Sequence, residues 1–520
     1  MKREHSAPGK VYLVGAGPGD PELLTLRGRQ LLECADLVVY DALTSPALLR
    51  FVRPTAEKLF AGKRSGDPSV PQEAIERTLI AAARRGLTVV RLEGGDPFLF
   101  GRGGEEAEAL AAAGVGFEIV PGISSAIGAP AYASIPLTHS QHASSVFIAT
   151  GHEDPSQPTS RLRWDMLARA ADTLVFMMPA RQLGEILGRL QEHGLAPATP
   201  AALIEWGTWP RQRTISATVS TLEAEARRHE IGPPVLLLVG NVISVREHIA
   251  WFERRPLCGR RVLITRAGSQ AGRFRKLLAE RGAEVVEFPT LEMRPPPSWK
   301  PADRAIARLE SYDWVVFTSA NGVDAFLGRL WERGRDLRAL GKSRLAAIGP
   351  ATARRLEERG LRVDLQPSEY RAEGILEALH GRVRGARMLL ARAREAREVL
   401  PRRLREQEGA HVDVVAVYES RAPRADASSL RQALERGEID VVTFTSSSTV
   451  RNLARMLGVD DLSSTLARCT VACIGPITAA TVRQYGLSPG IEPREYTIPA
   501  LTAALIEHFR NCPSETPPRK

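Results

Sequence analysis

Arg91-Leu-Glu-Gly-Gly-Asp-Pro-Phe-Leu-Phe-Gly-Arg-Gly-Gly-Glu-Glu106 decides how the first half of this chain is read. An apolar β-like run, Thr88–Leu92, enters it, and an alanine-rich helical segment leaves it. The paired glycines Gly94 and Gly95 leave backbone N–H and C=O groups open to close approach by a ligand. Asp96 suits a ribose or an amino group, and Arg102, set between glycines, offers a fork for a carboxylate. A turn that merely redirected the chain would not need acid, proline, aromatics and arginine together. The stretch therefore predicts a strand–turn–helix corner of an α/β layer that lines a ligand pocket.

The same alternation extends outward from this corner. Apolar strand-like runs at Val11–Val14, Leu37–Tyr40, Phe117–Val120, Val146–Thr150, Thr173–Met177 and Val235–Val239 alternate with helical segments, predicting α/β layers with largely parallel sheets. Arg85-Gly86-Leu87 and Ala113-Gly114 carry the glycine signal of helix C-termini. Glu253–Gly259, rich in Arg and Pro, reads as a short linker between two regions, and the tail from Asn511 reads as disordered.

With 520 residues, more than one core is expected. No run approaches the roughly 18 apolar residues of a membrane span. The polar Met1–Lys10 has no secretory pattern, so a cytoplasmic enzyme is expected. Five scattered cysteines (Cys34, Cys258, Cys469, Cys473 and Cys512) fit neither a disulfide framework nor a zinc site, and no metal is expected. A net charge of +10 favours an acidic partner. The arginines are dispersed and aromatics make up only 6%, which gives nucleic acid no support.

Three further motifs in the first half stay open on physical grounds. Gly15-Ala-Gly-Pro-Gly-Asp20 follows a strand, as a phosphate-binding turn would, yet Pro18 stiffens it and Asp20 competes with phosphate for the helix dipole. Asp41, at the end of an apolar run, is either functional or a turn former. Gly62-Lys63-Arg64 is either a cationic site or a solvated basic turn.

The second half contains an internal repeat. Arg261–Ala267 recurs as Arg387–Ala393, Phe317-Thr-Ser as Phe444-Thr-Ser, Ile348-Gly-Pro as Ile474-Gly-Pro, and Glu369-Tyr370 as Glu495-Tyr496. The offset of about 126 residues is too long for a solenoid unit and fits duplication of a whole α/β lobe. Thr318, Ser319, Thr352, Ser446 and Thr478 would then sit at strand ends facing a cleft, where some hydroxyls act only as caps. Such a bilobed repeat also suits a non-catalytic ligand-binding module that regulates the first half.

Taken in order, Gly15–Asp20, Tyr40-Asp41, Gly62-Lys-Arg64, Gly94–Pro97, Val120–Pro130, Thr150-Gly-His152 and Ala202–Arg213 resemble uroporphyrinogen-III C-methyltransferases over about residues 10–250. The resemblance implies a tetrapyrrole methylase fold: two unlike α/β subdomains, about 10–138 and 139–252, usually dimeric, with the cofactor in the cleft between them. It implies that S-adenosylmethionine, leaving as S-adenosylhomocysteine, lies against Pro18, Gly94, Gly95, Asp96, Leu99, Ser124, Ser125, Met178 and Gly207. Asp41 becomes the candidate proton acceptor, Lys63 the donor and Arg102 the grip on a substrate carboxylate. Loss of Asp41 is then expected to stop methylation with little effect on cofactor binding. The chain departs from the family at Met177-Met178-Pro179, where Tyr-Met-Gly is common, so the loop around Met178 is expected to differ.

Residues 258–510 resemble uroporphyrinogen-III synthases through the paired Phe-Thr-Ser and Gly-Pro-x-Thr-Ala turns and Val415–Glu419. This implies a bilobed, internally duplicated α/β domain (about 258–290 with 419–510, and 291–418) that needs no cofactor. Tyr418 is the candidate acid for the departing hydroxyl, with Thr352 and Thr478 positioning the substrate. Together the two resemblances imply an enzyme that closes hydroxymethylbilane to uroporphyrinogen III and methylates it twice to precorrin-2, on the way to siroheme or cobalamin. Its partners would be small tetrapyrroles.

Overall fold

The computed structural model describes residues 9–62, 70–151, 162–266, 268–370, 372–423 and 426–511. The chain divides into two compact units, Met1–Val262 with Lys276–Val285 and Thr502–Lys520, and Leu263–Arg275 with Val286–Leu501. No helix among the described residues is long and apolar enough to cross a membrane.

In the first unit, β1 (Lys10–Gly15), β2 (Leu37–Tyr40), β3 (Glu57–Phe60), β4 (Thr88–Glu93) and β5 (Phe117–Val120) form an all-parallel sheet, ordered β3-β2-β4-β1-β5. Side chains alternate between its faces. Val11, Leu13, Leu37, Val39 and Val89 enter one core, whereas Val14, Val38, Val90 and Leu92 enter the other. Both faces are covered, which is why these strands read as continuous apolar runs. Parallel neighbours also align their C-terminal ends, so the loops after β1, β2, β4 and β5 all emerge on the same edge.

β6 (Val146–Thr150), β7 (Thr173–Met177), β8 (Pro200–Glu205), β9 (Arg213–Thr218) and β10 (Val235–Val239) make a second sheet, ordered β6-β7-β10-β8-β9. Only β6 and β7 pair in parallel; the other pairings are antiparallel. This one sheet departs from the largely parallel pairing that the sequence leads one to expect. β8 and β9 are joined by the short Trp206–Gln212 loop, which permits only a hairpin. The helix Ser125–Tyr132 packs its alanines Ala126 and Ala129 against Val175, Ala202, Ile204 and Leu236 of this sheet.

Glu253–Gly259 is not a free linker. Glu253 accepts hydrogen bonds from Gln212, Thr214 and Arg246, Leu257 is fully buried, and the Gly259 N–H donates to Pro210 O. The polar, proline-marked composition that suggested a linker is absorbed by these bonds.

The second half contributes β11 (Arg261–Ile264), β12 (Glu284–Glu287), β13 (Glu292–Arg294), β14 (Trp314–Phe317), β15 (Arg344–Ala347), β16 (Arg387–Ala393), β17 (His411–Arg421), β18 (Val441–Phe444) and β19 (Thr470–Cys473). They form a four-stranded sheet, β12-β11-β18-β19, and a five-stranded sheet, β13-β17-β16-β14-β15. The chain leaves the four-stranded sheet after β12 and returns to it after β17.

Candidate active sites

Three glycine backbones meet at the edge of the all-parallel sheet. A Cβ on Gly122 would lie 2.1 Å from Gly95 O and 2.7 Å from Gly15 Cα, closer than real side chains come. Gly17 and Gly95 exchange backbone hydrogen bonds, Gly17 N–H to Gly95 O at 3.2 Å and Gly95 N–H to Gly17 O at 2.8 Å. Gly95 itself has φ 74°, the left-handed region that glycine enters without a steric penalty.

Carboxylates tie these turns together. Asp96 Oδ1 accepts from Phe98 N–H at 2.8 Å, and its Oδ2 accepts from Gly122 N–H at 2.9 Å. Asp41 Oδ1 accepts from Leu43 N–H, Thr44 N–H and the Thr44 hydroxyl at 2.9–3.0 Å, while Oδ2 accepts from Gly94 N–H at 3.1 Å. Asp41 is thus a turn former that also holds the first glycine of the pair. Asp20, the acid that would compete with phosphate at this turn, caps its own turn through Glu22 N–H and accepts from Tyr132 Oη at 2.8 Å. Its N–H donates to Thr208 Oγ1 at 3.1 Å.

These loops wall a cavity of about 1520 Å³. Pro18, Gly94, Gly95, Asp96, Leu99, Ser124, Ser125, Met178 and Gly207 all line it. Asp41 stands just outside the lining, next to Ala42 and Leu43, which belong to it. Arg102 is exposed at the N-terminus of the helix Gly103–Ala112, one residue beyond the lining Gly101. Lys63 and His152 lie outside the described residues.

The cavity also takes in residues not singled out from sequence: Phe100, Arg181, Trp206 and Trp209. Phe100, Met178 and Trp206 have φ of 52°, 57° and 49°. Non-glycine residues held in this conformation concentrate at ligand sites. The Arg211 guanidinium stacks on Trp206, 3.5 Å from its ring centre. The doublet Trp206-x-x-Trp209 was the available signal, because half-buried tryptophans, apolar with one polar N–H, are suited to contact sites.

In the second half the repeat is exact in backbone terms at its two turns. Ser319 caps the helix Ala320–Glu332 at φ −165°, and Ser446 caps the helix Ser447–Leu457 at φ −166°. Each hydroxyl accepts from the N–H three residues on, Gly322 and Thr449. The Gly349 and Gly475 turns each lead into a helix that starts with proline. A Cβ on either glycine would run into Tyr370 (3.2 Å) or Tyr496 (2.7 Å).

Thr352 and Thr478 are buried in the first turn of those helices, and Thr318 is half-buried beside Ser319. Tyr418, on β17, is buried in the core of the five-stranded sheet, with its hydroxyl 3.0 Å from Ser319 Oγ. Burial pushes the Tyr418 phenol above its ordinary range, against the hydrogen bond with Ser319. The structure thus brings Tyr418 and Ser319 together, and places Ser446 and Thr478 at the equivalent turns of the four-stranded sheet.

A glycine-walled cavity beside two α/β sheets in the first half, and a duplicated pair of α/β sheets in the second, define a two-domain α/β class with a ligand-sized pocket. The family model described as Tetrapyrrole (Corrin/Porphyrin) Methylases matches residues 10–223, and that described as Uroporphyrinogen-III synthase HemD matches residues 272–503. The chain is 36% identical to the Porphyrin biosynthesis protein HemD of Ruminiclostridium josui, over 96% of this chain and 98% of that protein. It is 38% identical to the Uroporphyrinogen-III C-methyltransferase of Bacillus subtilis (strain 168), over 69% of this chain and 74% of that one.

Among solved structures, the Thermus thermophilus uroporphyrin-III C-methyl transferase complexed with S-adenyl homocysteine is 37% identical, with a TM-score of 0.39 over 45% of this chain and 99% of its own. The chain belongs to the family of the Ruminiclostridium josui protein: a tetrapyrrole methylase domain followed by a uroporphyrinogen-III synthase domain, in tetrapyrrole biosynthesis.

Proposed function

We propose that residues 10–252 methylate uroporphyrinogen III twice with S-adenosylmethionine to give precorrin-2, and that residues 258–510 make that substrate from hydroxymethylbilane. The observation that carries the first part is the glycine-walled cavity, in which all nine candidate cofactor residues share one lining. The lining fits such a group: backbone at Gly94 and Gly95 is open to close approach, while Leu99, Ala129 and Ile204 supply apolar surface for an adenosine. S-adenosylmethionine, when bound there, supplies an electrophilic methyl group. The chain's part is to hold a pyrrole β-carbon in line with it, since alignment supplies much of the rate. Arg102, exposed beside the cavity, grips a carboxylate of the macrocycle. Uroporphyrinogen carries eight of these, which gives the net charge of +10 a use.

In the synthase half, Tyr418 protonates the departing hydroxyl so that it leaves as water, and the turn hydroxyls position the chain for closure. Its buried, protonated phenol suits a donor. Tyr418→Phe is expected to lower synthase turnover about 100-fold while leaving the fold intact, as loss of a general acid does. Full turnover in that variant, followed as uroporphyrinogen III formed from hydroxymethylbilane, would remove the assignment.

The decisive experiment is incubation of the full chain with hydroxymethylbilane, with and without S-adenosylmethionine, followed by mass analysis. Cyclised product alone without the methyl donor, and product heavier by two methyl groups with it, are the expected results. If uroporphyrinogen III is methylated but hydroxymethylbilane is not consumed beyond its spontaneous closure, the second half is a ligand-binding module instead.

A further inference from the structure

β4 ends with two ionisable side chains on the same face, Arg91 and Glu93, two residues apart. Opposite them, in the first turn of the helix Gly103–Ala112, stands Glu106. Arg91 Nε donates to Glu106 Oε1 at 3.0 Å and lies 3.8 Å from Glu93 Oε1. Gln72, from the helix Gln72–Arg84, also donates to Glu106 Oε1, at 3.0 Å. All three charged groups are withdrawn from solvent, with Arg91 at 5%, Glu93 at 6% and Glu106 at 0% exposure. Two of their oxygens, Glu93 Oε1 and Glu106 Oε2, are buried with no hydrogen-bond partner among the described residues.

Asp41, after β2, also bears on Glu93, and it too is negative. One guanidinium therefore faces two buried carboxyl groups, with a third carboxylate nearby. An unpaired buried carboxylate is costly enough that such a group takes up a proton instead. Two close carboxyl groups commonly share a single proton.

We propose that Glu93 keeps a proton that it donates to the Glu106 carboxylate, and that this proton lets the Gly101–Arg102 segment pack against the end of β4, which makes Glu93 a positioning residue for methyl transfer. The coupling to the segment is steric and electrostatic. Glu93 Oε2 is 3.2 Å from the point a Gly101 Cβ would occupy, so the segment lies directly over the carboxyl group. That segment joins the lining residue Phe100 to Arg102, and Gly103 N–H is fastened back to Pro97 O. Losing the proton leaves an uncompensated buried charge beneath it, and hydrating that charge requires water to enter under the segment and open it. Burial, with help from Glu106 and Asp41 and against Arg91, holds the Glu93 carboxyl up at about 8. The sign follows from linkage: the folded form keeps a proton that the unfolded chain releases near 4.5, so stability falls as pH rises from about 4.5 to about 8 and then levels.

The role in methyl transfer rests on the methyltransferase reading; the proton on Glu93 does not. The test compares the full chain with Glu93→Gln, which keeps the shape of a protonated acid, and with Glu106→Gln, which frees Arg91 to pair with an ionised Glu93. Three quantities are followed from about pH 5 to 9: Tm, hydrogen exchange of peptides spanning 98–104, and methyl transfer to uroporphyrinogen III. The wild-type Tm should fall relative to Glu93→Gln between pH 5 and 8. Exchange over 98–104, corrected for its intrinsic pH dependence, should rise several-fold above pH 8 in the wild type only. The KM for the tetrapyrrole should rise along the same limb in the wild type and stay level in Glu93→Gln, and Glu106→Gln should move the transition to lower pH.

Parallel pH profiles for wild type and Glu93→Gln, or a Glu106→Gln transition left in place, would overturn the proposal. A wild type that transfers no methyl at any pH defeats the methyltransferase reading, and Tm and exchange then still decide the proton.

Discussion

Gly122→Ala should abolish methyl transfer, lowering kcat/KM by at least about 100-fold, because misplacement of about 1 Å near reacting groups costs that much. The added Cβ would fall 2.1 Å from Gly95 O and 2.7 Å from Gly15 Cα. Both obstacles are backbone atoms at the ends of central strands, so no side chain can turn away to make room. The turns after β1, β4 and β5 must separate, and all three border the cavity. Overpacking of this kind costs about 1–3 kcal/mol, which a domain of this size survives. Calorimetry should show S-adenosylhomocysteine binding falling with activity, while circular dichroism stays native. Gly116→Ala is the control, since nothing lies within 4 Å of its Cβ position. Near-normal activity in Gly122→Ala would mean that the glycine contact does not set the shape of the site.

The second large effect is expected at Asp41. Removing its carboxylate in Asp41→Ala strands the part-buried N–H groups of Thr44 and Gly94, while that of Leu43 can turn to water; a fully buried unsatisfied donor costs about 1–3 kcal/mol, which bounds each loss from above. The Gly94 turn is part of the cavity wall, so methyl transfer and cofactor affinity should fall together, affinity by about 10- to 100-fold. The sequence resemblance implied activity loss with binding spared; the hydrogen bonds predict otherwise. Asp41→Asn separates the two roles. It keeps one acceptor oxygen for the turn but lacks the charge, so affinity should drop about tenfold and turnover by 100-fold or more. If Asp41→Ala binds S-adenosylhomocysteine like the wild type, the carboxylate does not hold the turn.

Much of this was legible in the sequence, for identifiable reasons. Strands of a parallel sheet covered on both faces are short apolar runs, so β1, β2, β4 and β5 stand out. β3 does not, because its Glu57-Lys58 start is an exposed edge. β8 begins with Pro200 and β9 mixes Arg, Thr and Ser, so neither resembles a buried strand. The hairpin they form is what made the second sheet mixed. Glycine clusters revealed where chains approach closely, but not which backbones meet. Asp41 and Asp96 were recognisable as special, yet their bonds to turns 53 and 26 residues away needed the fold. The Arg91–Glu93–Glu106 group lies inside the most informative motif yet is not legible there, since burial is what makes ordinary charged residues unusual.

The four-stranded sheet of the second half has a consequence for how the chain is made. β11 and β12 leave the ribosome more than 150 residues before β18 and β19, with the whole five-stranded sheet in between. The methylase strands β1–β10, by contrast, are complete within one contiguous stretch. During synthesis the first domain can therefore fold early, whereas β11 waits with an unpaired edge until its partner β18 emerges. Such an edge is an opening for aggregation. Truncations that end before Val441 should express as aggregates held together by the exposed β11, and the folding yield of the whole protein should be limited by chaperone cover for that interval.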